Sequence, residues 1–347
     1  RLSNSLTPNE HSFVSERERE RPLIEALING GLKPSLSLSY PHLPSLSSSS
    51  SYLIVSPKPV RIPIKGRHVF ITGGSSGIGL AMARQAAAEG ARVSILARNR
   101  DKLEEAKQSI HLSTGIDVAV FSADVRDFAA VKAAVEEAGP VDVLVCNQGV
   151  FVPQELESQE LEEVKFMIDV NLMGTFHLIK AALNGMKNRR DRGPASIAIM
   201  SSQAGQVGIY GYTAYSASKF GLRGMAEALQ QEVVADNIHI SLIFPPDTET
   251  PGLEEASSGA MKADEVAKKA LDGIKSGSFI VPCNFEGLLL TIATAGLSPQ
   301  GSYLMAFVEV VTAGINPGSF ELDTGTVLCM AAFGDYNRFL SIHEDDI

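Results

Sequence analysis

From His68 onward the chain alternates short, β-branched apolar runs with stretches of helical period, and this alternation restricts the fold more than any other feature. His68-Val-Phe-Ile-Thr72, Arg92-Val-Ser-Ile-Leu-Ala97, Asp117–Ser122, Val141–Cys146, Ser196–Met200 and Ile238–Phe244 read as strands. Ser278–Val281 adds an edge strand, for about seven in all. Helix patterns lie between the strands at 77–89, 101–111, 127–138, 160–187 and 213–235. Strands that are apolar almost throughout have no side to offer to water. They belong to a parallel sheet covered on both faces and joined by right-handed crossovers. The expected fold is therefore α/β: a Rossmann-type doubly wound parallel sheet flanked by helices on both faces, which takes its ligands at the carboxyl ends of the strands.

The first strand runs into Thr72-Gly-Gly-Ser-Ser-Gly-Ile-Gly79 and then a helix. Gly73, Gly77 and Gly79 let backbone approach a pyrophosphate, with Ser75, Ser76 and Ile78 in the same turn, while the helix start offers free N–H groups and a positive dipole end. A flexible Gly/Ser turn is the plainer reading, and the strand before and helix after weigh against it. After the second strand, where an acid would bond ribose hydroxyls, stand Ala97-Arg98 and then Lys102, which favours a 2′-phosphate and hence NADP(H). The plainer reading there is an ordinary solvated arginine. Asp124, after the third strand, is placed to bond the adenine, and Asn147-Gln-Gly149, after the fourth, brings backbone close to the cofactor.

Tyr215 and Lys219 stand four residues apart and so share one helix face. A phenol is a poor proton donor near neutrality, and a neighbouring ammonium lowers its pKa toward the working range. Ser202, at the end of the fifth strand, can bond a substrate carbonyl; strand alternation lets only one of Ser201 and Ser202 face the site, with Ser202 the first choice and Ser201 the second. Asn171 falls inside the long helix, where it reads as a holder of relay water or as a kink.

Composition narrows the partners. A net charge of −10, no Trp, 6% aromatics and a densest basic run, Arg17-Glu-Arg-Glu-Arg21, neutralised by its own glutamates argue against nucleic acid. Cys146, Cys283 and Cys329 are too few and too scattered for a disulfide framework or zinc site, and no histidine spacing suggests a metal, so none is expected.

These residues together resemble the short-chain dehydrogenase/reductase family over residues 66 to about 310. The marks are Thr-Gly-x-x-x-Gly-x-Gly, an Asn-x-Gly after strand four, and an Asn, Ser, Tyr, Lys tetrad at Asn171, Ser202, Tyr215 and Lys219. Within the family, Ser201–Gly205, Tyr212–Gly221 and Phe244-Pro-Pro-Asp-Thr-Glu-Thr-Pro-Gly252 are similar to its sphingolipid subgroup, plant-like in form. The resemblance implies NADPH as cofactor, with Pro245 among its contacts, and reduction of 3-oxosphinganine to sphinganine with Tyr215 as proton donor. It also implies a homo-oligomer, peripheral membrane contact and a place on the cytosolic face of the endoplasmic reticulum. Other ketones (3-ketoacyl, steroid or quinone) and a non-catalytic NADP(H)-binding truncated isoform stay open as alternatives, because the tetrad alone does not select a substrate.

Three segments follow. Residues 1–60, Ser- and Pro-rich with a serine run from Ser47 to Ser51, read as disordered; Glu10, Glu16, Glu18, Glu20 and Glu25 argue against a transit peptide, and the initial Arg reads as a processed form, a fragment or an imperfect gene model. Residues 61–283 form the NADP-binding catalytic domain, and 284–347 an apolar, helical extension with a loose tail. In that extension 287–297 and 303–315 are too short to span a bilayer and read as buried or dimer-packing helices, with a membrane-surface segment as the alternative. The substrate-covering stretch after Gly252 is short between Glu255 and Ser257.

If Arg98 holds a 2′-phosphate, Arg98→Ala raises KM for NADPH far more than for NADH. Steady-state kinetics with both cofactors check this, and equal effects refute the assignment.

Overall fold

The computed structural model describes residues 60–189, 193–251 and 260–294. The disordered reading of the first 59 residues, the stretch at Glu255–Ser257, the apolar run at 303–315 and the tail all lie outside the described residues. Seven strands form one parallel sheet: β1 (His68–Thr72), β2 (Arg92–Ala97), β3 (Ala119–Ser122), β4 (Val143–Cys146), β5 (Ala195–Met200), β6 (Ile238–Phe244) and β9 (Ile280–Pro282). They run in the order β3-β2-β1-β4-β5-β6-β9, with Ile71 opposite Ile95 on one side and Val145 on the other. The reversal of strand order between β1 and β4 opens the crevice in which doubly wound sheets hold ligands. A two-residue pair not foreseen from the sequence, β7 (Thr248–Glu249) and β8 (Met261–Lys262), lies beyond the carboxyl end of β6.

Alternation along each buried strand sends side chains to two separate cores. Val69, Ile71, Val143 and Val145 pack under α1 (Gly77–Ala88), α2 (Arg100–Thr114) and α6 (Ala263–Lys275). Phe70, Leu144 and Cys146 face the other way, under α3 (Phe128–Ala138), α4 (Leu161–Lys187) and α5 (Thr213–Val233). Helix ends are marked locally: the Asn99 side chain accepts from Lys102 N at the start of α2, Gly115 closes it at φ 73°, and the Asp127 side chain accepts from Ala129 N and Ala130 N at the start of α3. Among the described residues α4 is the one helix long and apolar enough to cross a membrane. It is also a core helix, burying Val170, Leu178, Ile179, Ala182 and Met186.

Inside α4 the chain widens from α to π geometry over Ile168–Met173 before returning to α at Gly174. Such a bulge re-aims side chains and weakens the carbonyl ladder. Here the Thr175 hydroxyl donates to the Asn171 carbonyl at 2.7 Å. The kink foreseen at Asn171 is thus a widened turn, and it carries the Asn171 side chain into the sheet's carboxyl edge.

The opposite edge of the sheet is tied by charge. Asp142, 1% exposed, accepts from Arg189 Nη1 at 2.6 Å, from Arg67 Nη1 at 3.4 Å and from the His68 backbone N–H at 2.8 Å. Removing one partner of a buried ion pair leaves the other charge desolvated and poorly compensated. Arg189→Met is expected to cost about 3 kcal/mol of stability, read from chemical denaturation, without changing the reactive end of the sheet.

Candidate active site

Thr72, the last residue of β1, organises the turn that follows. Its hydroxyl donates to Gln148 Oε1 at 2.6 Å and accepts from Asn147 N at 3.0 Å, so β1 and the segment after β4 are joined where their ladder ends. The Asn147 side chain donates to the Thr72 carbonyl at 3.0 Å. This crowding explains two glycines. A Cβ on Gly79 would lie 2.2 Å from the Gly73 carbonyl oxygen, and Gly73 itself takes φ 63°, which L side chains avoid. Ser76 caps α1 without a side-chain hydrogen bond and no acid occupies the first turn, which leaves the N–H groups at the helix start for an outside acceptor. This cradle fits a pyrophosphate.

A cavity of about 680 Å³ runs along the carboxyl edge from this turn. At one end Arg98 and Lys102 line it, both exposed, and neither side chain makes a hydrogen bond or ion pair among the described residues. Asp124 also lines it, but its carboxylate is already held by Arg126, with contacts of 2.7 and 3.1 Å. Arg126 and, more weakly, Arg98 hold that carboxyl below its ordinary range. The adenine role read for Asp124 therefore meets a competitor: two residues along the turn, Arg126 folds back onto the acid.

The reactive groups meet at the other end. Asn171 is fully buried; its Oδ1 accepts from Val150 N at 2.8 Å and its Nδ2 donates to Val150 O at 3.0 Å and to Ser218 Oγ at 3.0 Å. Ser218 Oγ in turn donates to the Tyr215 carbonyl at 2.7 Å. The Asn171 side chain thus clamps the backbone at Val150 to α5. Gly149, beside it, faces Asn171 Oδ1 and Lys219 Nζ, each 3.6 Å from where a Cβ would stand.

Ser201 and Ser202 part company as alternation requires. The Ser201 hydroxyl is buried and donates to the Lys219 carbonyl at 3.1 Å, which removes it from the catalytic set. The Ser202 hydroxyl stands against the Tyr215 phenol and accepts from Ala204 N at 3.1 Å. Tyr215 packs edge-on against Phe151, with centroids 4.8 Å apart.

Lys219 behaves differently from its sequence reading. It is 4% exposed, donates to the Met200 carbonyl at 3.0 Å, and sits over the Tyr215 ring 5.5 Å from its centroid. Burial pushes this ammonium down to about 8. Burial also pushes the Tyr215 phenol up to about 12, against a smaller downward pull from Ser202, with Asp247 and Tyr212 adding to the rise. Lys219 is not among the groups that move the phenol, whose rise is set first by burial; the amine meets the ring's face and is itself starved of water.

The sequence reading also missed residues that the structure brings in. Thr72, Gln148 and Ser218 act through hydrogen bonds that span segments distant in sequence, to side chains as well as backbone, for which residue type alone gives no signal. The turn after Ser202 is fastened to α7 (Phe285–Ala293): Gln203 Nε2 donates to Asn284 Oδ1 at 2.9 Å, and Gln206 Nε2 donates to Thr291 Oγ1 at 2.8 Å. The Arg223 Nη1, on α5 one turn beyond Lys219, donates to Thr294 Oγ1 at 3.2 Å. Residues 284–294, read as the start of a separate extension, thus bond to both segments that carry the reactive groups. Asp247 lines the cavity near Tyr215; its signal was an acid just past the carboxyl end of β6.

Comparison with known proteins agrees with this geometry. The family described as short chain dehydrogenase matches residues 67–260. A 3-dehydrosphinganine reductase of Arabidopsis thaliana is 66% identical over 275 residues, covering 76% of this chain and 84% of that protein. A 3-ketodihydrosphingosine reductase of Bos taurus is 37% identical over 283 residues, again covering 76% and 84%. A solved short chain dehydrogenase/reductase family protein superposes with a TM-score of 0.58 at 28% identity, over 64% of this chain and 98% of that one.

Two consequences of the buried ammonium are measurable. Lys219→Met is expected to lower ketone reduction by about two orders of magnitude. The second concerns stability. Since the folded-state pKa lies near 8, below the ordinary 10.5, the unfolded chain binds more protons between those values. Wild-type stability therefore gains on that of the Met variant as pH rises through this window. Thermal midpoints of both proteins at several pH values check the slope.

Proposed function

The chain belongs to the short-chain dehydrogenase family, and from its likeness to the 3-dehydrosphinganine reductases within it we infer that it reduces a long-chain ketone in sphingolipid synthesis, turning 3-oxosphinganine into sphinganine. It is an oxidoreductase acting between C=O and CH–OH, with a nicotinamide cofactor. The observation that carries the reaction is the half-buried Tyr215 phenol beside the Ser202 hydroxyl, at the end of a cavity that starts in a pyrophosphate cradle. The ketone's identity is supported by the likeness to proteins named for it.

Bound reduced nicotinamide supplies a hydride to the ketone carbon. Gly73, Ser75, Ser76, Gly77 and Ile78 would hold its pyrophosphate, and Arg98 with Lys102 supports NADPH over NADH as the form used. The Ser202 hydroxyl donates to the ketone oxygen and steadies negative charge as it develops. Tyr215, with its phenol pushed up to about 12, stays protonated throughout the working range. An alkoxide is more basic still, so the proton passes downhill from Tyr215 to the new hydroxyl. The Lys219 ammonium, over the ring, stabilises the phenolate while it lasts. Asn171 keeps the Val150 backbone fixed beside them. Homo-oligomer formation and residence at the cytosolic face of the endoplasmic reticulum belong to the same reading, on family likeness.

NADPH oxidation with 3-oxosphinganine beside short, water-soluble ketones tests the assignment. The long-chain ketone is expected to be strongly preferred; equal turnover of both rejects the lipid substrate, and turnover of neither rejects the reductase. Tyr215→Phe is expected to abolish reduction while leaving NADPH affinity, measured by fluorescence titration, nearly intact. Retention of full activity removes Tyr215 from its role.

A further inference from the structure

Among the described residues that line the cavity the acids are Asp124 and Asp247. They stand far apart. Asp124 follows β3 and Asp247 follows β6, with β2, β1, β4 and β5 between those strands, a separation of roughly 24 Å at normal strand spacing. Asp124 is held by Arg126 at the end where Arg98 and Lys102 lie. Asp247 shares the reactive end with Ser202, Tyr212 and Tyr215.

The segment that carries Asp247 is fixed against the reactive turn. Gln203 N, next to Ser202, donates to the Pro245 carbonyl at 3.1 Å. The Thr248 hydroxyl donates to the Pro246 carbonyl at 2.8 Å, and Met261 N donates to the Asp247 carbonyl at 2.8 Å as β7 and β8 pair. These contacts set the backbone on both sides of the acid. Its negative charge also reaches the phenols: after burial, Asp247 is the next cause that raises Tyr212, and it contributes to the rise at Tyr215. Asp247 and Glu249, two residues on, are both exposed, and of the two Asp247 alone lines the cavity.

A carboxylate beside the proton donor does not help the oxygen side of ketone reduction. It disfavours the phenolate and repels developing charge on the ketone oxygen. The ketone inferred above brings a cation to this end of the cavity: its amino group sits on the carbon adjacent to the carbonyl, within the space that Asp247 lines with Ser202 and Tyr215. We propose that Asp247 determines substrate specificity by receiving the ammonium of a 2-amino-3-ketone while Ser202 and Tyr215 hold the neighbouring ketone oxygen. This rests on the reading of the protein as a reductase of 3-oxosphinganine, and it names the feature of that substrate the site selects. A carboxylate of this kind turns away anionic or neutral ketones that fit equally well by length.

Asp247→Asn keeps the shape and removes the charge. The test compares 3-oxosphinganine with 1-hydroxyoctadecan-3-one, the same chain without its amine. Wild type is expected to prefer the amino ketone. In Asp247→Asn, kcat/KM for the amino ketone falls about 10- to 100-fold while that for the amine-free ketone holds or rises, so the preference collapses. Asp247→Glu restores part of the preference, and Glu249→Gln leaves it unchanged. An equal fall on both ketones overturns the proposal, because the acid then acts through Tyr215 or through the fold; so does no fall on either. Those results leave ketone reduction standing. If wild type fails to reduce 3-oxosphinganine at all, the functional reading falls and the proposal falls with it.

Discussion

Burial of the sheet on both faces is the constraint from which the rest follows. With β1, β4 and β5 buried throughout and helices packed over each side, polar chemistry has room only at the two strand edges. The amino edge takes a fixed ion cluster around Asp142. The carboxyl edge takes a cavity whose lining comes from the loops after successive strands. Placing reactive groups there also removes them from water, and the same desolvation that holds the core moves the Tyr215 phenol and the Lys219 ammonium away from their ordinary ranges, in opposite directions.

The fold was legible because its signals are repeated and local. Three strands, His68–Thr72, Arg92–Ala97 and Ile238–Phe244, keep the bounds read from their sequence, since each apolar run ends where a glycine, a polar residue or proline interrupts it. Asp117–Ser122 shortens to Ala119–Ser122, because pairing with β2 begins only opposite Ser94. The β7–β8 pair was not legible: two residues on each side carry no period.

At the site, residue types were legible and their couplings were not. Alternation after β5 separates Ser202 from Ser201, and helical spacing puts Tyr215 and Lys219 on one face. Nothing in Asn171 as a letter says that its amide is consumed by the Val150 backbone, since that depends on the π turn in which it stands. The direction of the Tyr215 shift escaped for a similar reason. Spacing gives the distance between two groups along a helix, while the balance between desolvation and attraction depends on everything packed around them.

The bonds from Gln203 and Gln206 to Asn284 and Thr291 bear on how such a protein can be recombined. The family's shared region ends at residue 260, yet the turn carrying Ser202 is braced by a helix that begins at Phe285. A hybrid joined between those points would inherit its cofactor cradle and its phenol from one parent and the brace for its hydroxyl from another. Grafting boundaries drawn from shared sequence alone would cut through the reactive centre while leaving every one of its side chains in place.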